Sequence, residues 1–434
     1  MTARPREDGT PMDNYLVISA DCHAGLPNQQ YREWLDPEYR ETFDEYLAGR
    51  AAMESELAEQ GLRNEEFAEE WEHDNAEGLL GGWDARRRDQ ELDADGVVGE
   101  VIFPDADAVT GGASAPFGAG LAATAEVPID LLMAGARAHN RWLAELCSES
   151  PHRRAGVAIV PIFDVAAAVV EITRVRESGL RGGILIPSMW QPYEPYHDAK
   201  YDPVWAACAD LQMPVHVHSG AADRASYGDN VGIYVAEVRW WSTRPLWFLL
   251  WSGTFERFPD LTFVTTECGA FWAPDLLWTS DIVYDREHAA KKLGKKLTEP
   301  LSMRPSEYFD QNCFIGASNT RRRELARRYE IGIGNIMWGN DFPHPEGTWP
   351  HTREWLKNAF SDIPVDETQQ ILGSNAAECY HFDSEALLPL AAQFGPTPAE
   401  LGQTGNGLDK WADLAAAGRP WLSGKEALEV PAGD

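Results

Sequence analysis

Basic residues are scarce. Against 69 Asp and Glu stand 37 Lys and Arg, a formal net charge of −32 at pH 7 over 434 residues. So acidic a chain is repelled by phosphate backbones and anionic headgroups, which argues against nucleic acid or a membrane as partner. Cysteine is sparse: the six (Cys22, Cys147, Cys208, Cys268, Cys313, Cys379) form no Cys-x-x-Cys pair, as expected of reduced thiols in a cytoplasmic protein. No apolar run reaches the roughly 20 residues a bilayer requires. The opening Met1-Thr-Ala-Arg-Pro-Arg-Glu-Asp lacks the hydrophobic centre of a signal peptide. No Gly-x-Gly-x-x-Gly turn follows an early strand, and there is neither a phosphate-binding Gly-rich loop nor a Ser-centred nucleophile elbow. Dinucleotide binding, phosphoryl transfer and serine-hydrolase chemistry are thus without support.

Hydrophobic residues make up 44% of the chain and tryptophan is abundant at 17, enough for a large core. Residues 1–14, polar and with two prolines, read as a disordered tail. The run Tyr15-Leu-Val-Ile-Ser-Ala-Asp21-Cys-His23 reads as a buried strand. Residues 29–90 then carry polar helical spacing and read as an insertion over the mouth of the fold. Apolar, β-branched runs follow at Val97–Phe103, Gly156–Ile162, Gly183–Pro187, Met213–His218, Leu261–Thr266, Cys313–Gly316 and Gly334–Trp338. Helical patterns separate them, clearest at Leu131–Cys147, Val165–Ser178, Asp202–Leu211, Arg244–Phe258 and Thr320–Tyr329. Eight such alternations predict an α/β fold, a (βα)8 TIM barrel over residues 15–383, in preference to an open doubly wound sheet. Residues 384–434 read as an extended C-terminal arm, with Trp411 and Trp421 as anchors.

Barrel enzymes gather their chemistry at the C-terminal ends of strands. Only 11 His occur, yet four strand ends carry metal-competent side chains. Strand one ends in Asp21-Cys-His23, its acid and imidazole two apart and so on one face. Strand five ends in His216-Val-His218, strand six in Thr266-Glu267, and strand eight in Gly339-Asn-Asp341-Phe-Pro-His344. His218 reads as a ligand, with His216 behind it, orienting a ligand or bridging to Asp341. Asp341 reads as a ligand or a base, against the alternative of a turn-opening Asp. Glu267 is a candidate for direct chemistry or an acid neutralised by an arginine. His344 is a candidate acid or substrate contact, or an exposed loop residue. Arg88, Trp83 and Trp190 are candidates for binding substrate, the arginine through an anion and the indoles through an aromatic face.

Several stretches together resemble the amidohydrolase superfamily: Asp21-x-His23, His218, Phe255-Glu-Arg-Phe-Pro-Asp-Leu, Arg304-Pro-Ser-Glu-Tyr-Phe and Gly339-Asn-Asp341-Phe-Pro. Within it they are similar to the branch that includes aminocarboxymuconate semialdehyde decarboxylase and resorcylate decarboxylase. The resemblance implies a barrel holding one divalent metal ion, zinc or manganese, on Asp21, His23, His218 and Asp341, with Asp341 also handling protons. Two departures stand out. That branch carries His or Glu where Asp21 stands, and His where strand six ends in Glu267. An ionised Glu267 would repel a substrate carboxylate. The expectation is therefore a hydrolase: metal-activated water attacks a small, possibly aromatic molecule, with Asp341 as base and His344 or Glu267 assisting. The alternative is a non-oxidative decarboxylase of an aromatic or unsaturated acid, and a third reading is a metal-free binding barrel. A homodimer is expected.

Overall fold

The computed structural model describes residues 14–59, 64–107, 109–228, 230–290, 294, 296, 299–403 and 408–423. The expected tail lies, but for Asn14, outside them, as does the end of the C-terminal arm. Eight strands follow one another in parallel, each hydrogen-bonded to the next: β1 (Ile18–His23), β2 (Gly99–Phe103), β3 (Arg154–Ile159), β4 (Gly183–Leu185), β5 (Val215–His218), β6 (Phe263–Thr266), β7 (Cys313–Ser318) and β8 (Ile336–Gly339). Two backbone bonds just beyond β8 close the ring onto β1. Asp341 N–H donates to Asp21 O (2.9 Å) and His23 N–H to Phe342 O (2.6 Å). The seam of the barrel is thus built from candidate site residues.

Side-chain alternation divides the core into two layers. Ile18, Ala20, Val101, Phe103, Ala155, Val157, Leu185, Val264 and Met337 pack together inside the barrel. Ile102, Ile184, Val215, Val217, Phe263, Ile315 and Trp338 pack outward against the helices. Strict alternation from Ile18 and Ala20 would send Asp21 and His23 outward. A register shift between Ser19 and Cys22 changes the phase. Past it, Cys22 joins the outer layer and its neighbours Asp21 and His23 turn inward.

Between β1 and β2 run the helices Arg40–Glu59, Glu65–Leu79 and Ala85–Asp95. Asn64 and Asp84 cap the last two, accepting from the amides of Phe67 (3.2 Å) and Arg87 (2.7 Å). The helix expected at Arg244–Phe258 instead begins at Val231 and ends at Trp251, with Pro245 inside it. Pro245 reads as a first-turn residue, and exposed apolar side chains upstream (Val235 59%, Trp240 51%) blur any one-sided pattern. The pattern at Thr320–Tyr329 resolves into two short helices, Arg322–Leu325 and Arg328–Ile331. Beyond Asp383, helices Ser384–Phe394 and Leu408–Ala417 run over the barrel. Trp411 donates to Asp362 O (2.8 Å) and Trp421 to the Asp281 carboxylate (3.1 Å). Among the described residues no helix is long and apolar enough to cross a membrane.

Candidate metal centre

Three imidazoles converge at the strand ends, each with one ring nitrogen tied to a backbone carbonyl. His23 Nδ1 lies 2.8 Å from Pro104 O, His218 Nδ1 2.8 Å from Ser219 O, and His344 Nε2 2.8 Å from Asp105 O. A carbonyl accepts only, so each of these nitrogens carries a proton and the opposite nitrogen is directed into the cluster. His23 Nε2 lies 3.5 Å from Asp21 Oδ1 and 3.1 Å from Asp341 Oδ1. His218 Nε2 lies 3.2 Å from Asp21 Oδ1, and His344 Nδ1 3.2 Å from Asp341 Oδ1. The rings of His23 and His344 stack at 3.8 Å.

Asp21, His23, His218 and Glu267 each offer a ligand atom within 4.8 Å of the others, and so, in an overlapping group, do His23, Asp341 and His344. His23 Nε2, His344 Nδ1 and both oxygens of Asp341 are buried from water and face one another across the cluster. Buried polar groups that have only each other are costly unless a further partner satisfies them. Imidazole nitrogens fixed from behind and aimed at carboxylates are the donor set a divalent cation of the zinc or manganese type takes. The residues present fit such an ion.

The electrostatics agree. Burial opposes ionisation of Asp21, but the charges and hydrogen bonds of His218 and His23 outweigh it and hold the carboxyl far below its usual range. Burial likewise opposes a charged Asp341, and His344 and His23 overcome it and lower its carboxyl. His344, despite burial, is pushed up to about 10 by the charge and hydrogen bond of Asp341. Without a metal the imidazole protons supply the positive charge these carboxylates demand; a cation would displace those protons. Glu267, its side chain 18% exposed, goes the other way, as burial and the nearby charge of Asp341 raise its carboxyl well above the usual value.

Backbone and small residues serve the cluster too. Asp105, Glu267 and Asp341 all have left-handed backbones, at φ 67°, 55° and 61°. Strain of that kind persists only where the surroundings enforce it. A Cβ on Gly339 would meet Asp21 Cβ at 2.7 Å, so only glycine lets β8 approach β1 there. Ser318 Oγ donates to Asp21 Oδ2. Ser19 Oγ bonds both Asp21 O (2.8 Å) and Asn340 Oδ1 (3.0 Å). Sequence reasoning passed over Ser19, Ser318 and Asp105. The position of Asp105 in Phe103-Pro-Asp, at the end of β2, was the available signal.

Three expected roles are corrected. Arg88 does not face substrate: fully buried, it grips Glu100 through Nε (2.8 Å) and Nη2 (2.7 Å) and gives Nη1 to His23 O (2.8 Å). It braces the ligand strand from behind. Trp190 is 4% exposed, packed on Tyr196 and Phe248 under Arg244, away from the cavity beside the cluster. His216 neither bridges to Asp341 nor hydrogen-bonds a ligand. Its Nε2 meets Gly182 O (2.9 Å), its ring stacks on Tyr380, and burial depresses its pKa to about 3. Phe103 packs between it and His218, at 5.2 and 4.8 Å. Trp83 does line that cavity.

A strand-ended cluster of this kind on an eight-stranded parallel barrel defines an enzyme of the amidohydrolase superfamily. The amidohydrolase family model matches residues 20–382, and the chain belongs to that family. Among curated proteins, the gamma-resorcylate decarboxylase of Rhodococcus jostii (strain RHA1) is 27% identical over 271 residues, covering 57% of this chain and 77% of the relative. That of Rhizobium sp. (strain MTP-10005) is 27% identical over 266 residues, covering 57% and 76%. Among solved structures, a dihydroxybenzoic acid decarboxylase from Polaromonas sp. JS666, with bound manganese and the inhibitor 2-nitroresorcinol, matches with a TM-score of 0.60 at 20% identity, over 84% of this chain and 96% of its own. That likeness is one of fold. The expectation of a hydrolase is corrected here, because these relatives are decarboxylases.

Proposed function

We propose that this chain is a metal-dependent, non-oxidative decarboxylase of a small aromatic or unsaturated acid. The observation that carries this reading is the set of imidazoles pinned from behind and aimed at Asp21 and Asp341, in a chain whose curated relatives decarboxylate. Asp21, His23, His218 and Asp341 would hold one divalent ion, manganese or zinc. When bound, that ion supplies positive charge to the oxygens of the substrate. The chain's own residues handle the proton. His344 would carry it as an imidazolium, its Nδ1 held 3.2 Å from Asp341 Oδ1. Delivered to the carbon that bears the carboxylate, this proton makes a new C–H bond. The C–C bond then breaks, its electrons return to the ring, and carbon dioxide leaves. Burial and the charge of Asp341 favour the neutral form of Glu267, in which it would donate a hydrogen bond to the departing carboxylate where an ionised Glu267 would repel it.

The test is carbon dioxide release from a panel of hydroxybenzoic acids by manganese-loaded protein. Release is expected from at least one acid, and Asp341→Asn should lower it by about 10² to 10⁴-fold. No release above the metal-free control from any acid contradicts the reading. We also take the protein for a cytoplasmic homodimer, supported by apolar surface at Trp240, Phe271 and Trp278. Light scattering should then give twice 48.3 kDa.

A further inference from the structure

Beside the cluster lies a cavity of about 390 Å³ that none of this chemistry uses. Its walls come from the helix Glu65–Leu79 and the turn after it (Trp71, Leu79, Trp83), from Pro27 after β1, and from Pro343 and Pro345 after β8. The two prolines bracket His344. Ala106, also in the wall, follows Asp105, whose carbonyl holds His344 Nε2. The cavity wall thus includes the immediate chain neighbours of His344 and of Asp105, which holds it. An aromatic chain ties the insertion to the same loop: Trp71 meets Trp349 edge-on at 5.9 Å, and Trp349 meets Phe342 at 4.9 Å.

The lining decides what could sit there. Among the described residues it holds no Lys, Arg or His, and its two acids are Glu72 and Asp107. Asp107 is spent on its own loop, accepting from the amides of Val109 (3.0 Å), Thr110 (2.7 Å) and Gly112 (2.8 Å). Glu72 is exposed at the rim. An anion would find repulsion and no counter-charge, whereas a flat uncharged group would find two indoles and three proline rings. The volume lies at the small end of the range for organic-ligand sites, roughly 300–1,000 Å³.

We infer that this cavity is a specificity subsite that takes an uncharged aromatic or alicyclic portion of the substrate, remote from its carboxylate. The insertion between β1 and β2 thereby selects the substrate. This rests on the reading that an organic acid meets the metal cluster, but binding can be measured apart from turnover. Trp71 and Trp83 are the specificity residues.

The probes are 2-naphthol, 2-naphthoate and resorcinol, titrated by calorimetry into the manganese-loaded full chain. Wild type should bind both two-ring probes, 2-naphthol and 2-naphthoate, at least tenfold more tightly than resorcinol. Trp71→Ala should weaken 2-naphthol at least tenfold, leave resorcinol within twofold, and keep the metal content. Trp71→Phe, which restores a ring, should recover most of the loss. Equal 2-naphthol affinity in wild type and Trp71→Ala overturns the inference, as does binding of the two-ring probes no tighter than resorcinol in the wild type. Should Trp71→Ala not fold, wild-type crystals soaked in 6-bromo-2-naphthol give the answer: bromine signal between Trp71 and Pro343 supports the subsite, and its absence there overturns it. Naphthol binding without carbon dioxide release from any acid would sink the decarboxylase reading and leave the subsite standing. Release without naphthol binding would do the reverse.

Discussion

At the scale of single residues, the centre depends on groups that never touch a substrate. Gly339 is one. A methyl group there would press on Asp21 Cβ at 2.7 Å, and the neighbouring backbone of Asp21 leaves it no escape. Gly339→Ala is therefore expected to lower metal affinity at least tenfold with the fold retained, read by metal analysis and circular dichroism together. Unchanged affinity would show that β8 can shift without cost. Arg88 is another. Removing it leaves Glu100 buried beside Arg154 alone (3.5 Å) and frees the carbonyl of His23. Arg88→Met should cost about 3–5 kcal/mol in denaturant unfolding, as expected when one member of a buried ion pair is lost. A loss below about 1 kcal/mol would contradict that role.

At the scale of elements, strand ends and caps explain what could be read in advance. Eight apolar runs separated by helical patterns made the barrel legible, because period and length distinguish buried strands from helices. The clustering of Asp21, His23, His218 and Asp341 followed from their positions at strand ends. The phase change between Ser19 and Cys22 was not legible, since a bulge depends on how two strands pair. Nor was the burial of Arg88, because the sequence does not reveal that Glu100 points outward from β2 to meet it. The helix Ala85–Asp95 ends on a further unread detail. Asp95 is 5% exposed, accepts the amide of Thr352 (3.0 Å), and leaves Oδ2 unpaired. Burial, opposed by the hydrogen bonds from Thr352, pushes its carboxyl up to about 6. A carboxyl whose pKa is raised on folding holds its proton more tightly in the folded state. Its contribution is complete below about pH 4 and is lost as pH rises through its folded value. Relative to Asp95→Asn, the wild type should weaken by on the order of 3 kcal/mol between pH 4 and pH 7. Parallel stability curves for the two proteins would contradict this.

At the scale of the whole molecule, a net charge of −32 bears directly on the proposed reaction. An anionic acid must approach an anionic protein, so the long-range field opposes encounter while the metal cluster attracts at short range. Salt screens the first far more than the second. Raising ionic strength from 20 to 200 mM should therefore lower KM for an acid substrate and leave kcat unchanged. A KM that climbs with salt would mean that local positive charge, absent from the described cavity lining, dominates approach. The decisive measurement is anomalous diffraction from manganese-loaded crystals. One peak should lie about 2.1 Å from both His23 Nε2 and His218 Nε2 and within reach of the carboxylates of Asp21 and Asp341. A crystal with no such peak, or with its metal bound elsewhere, would contradict the assignment of this centre.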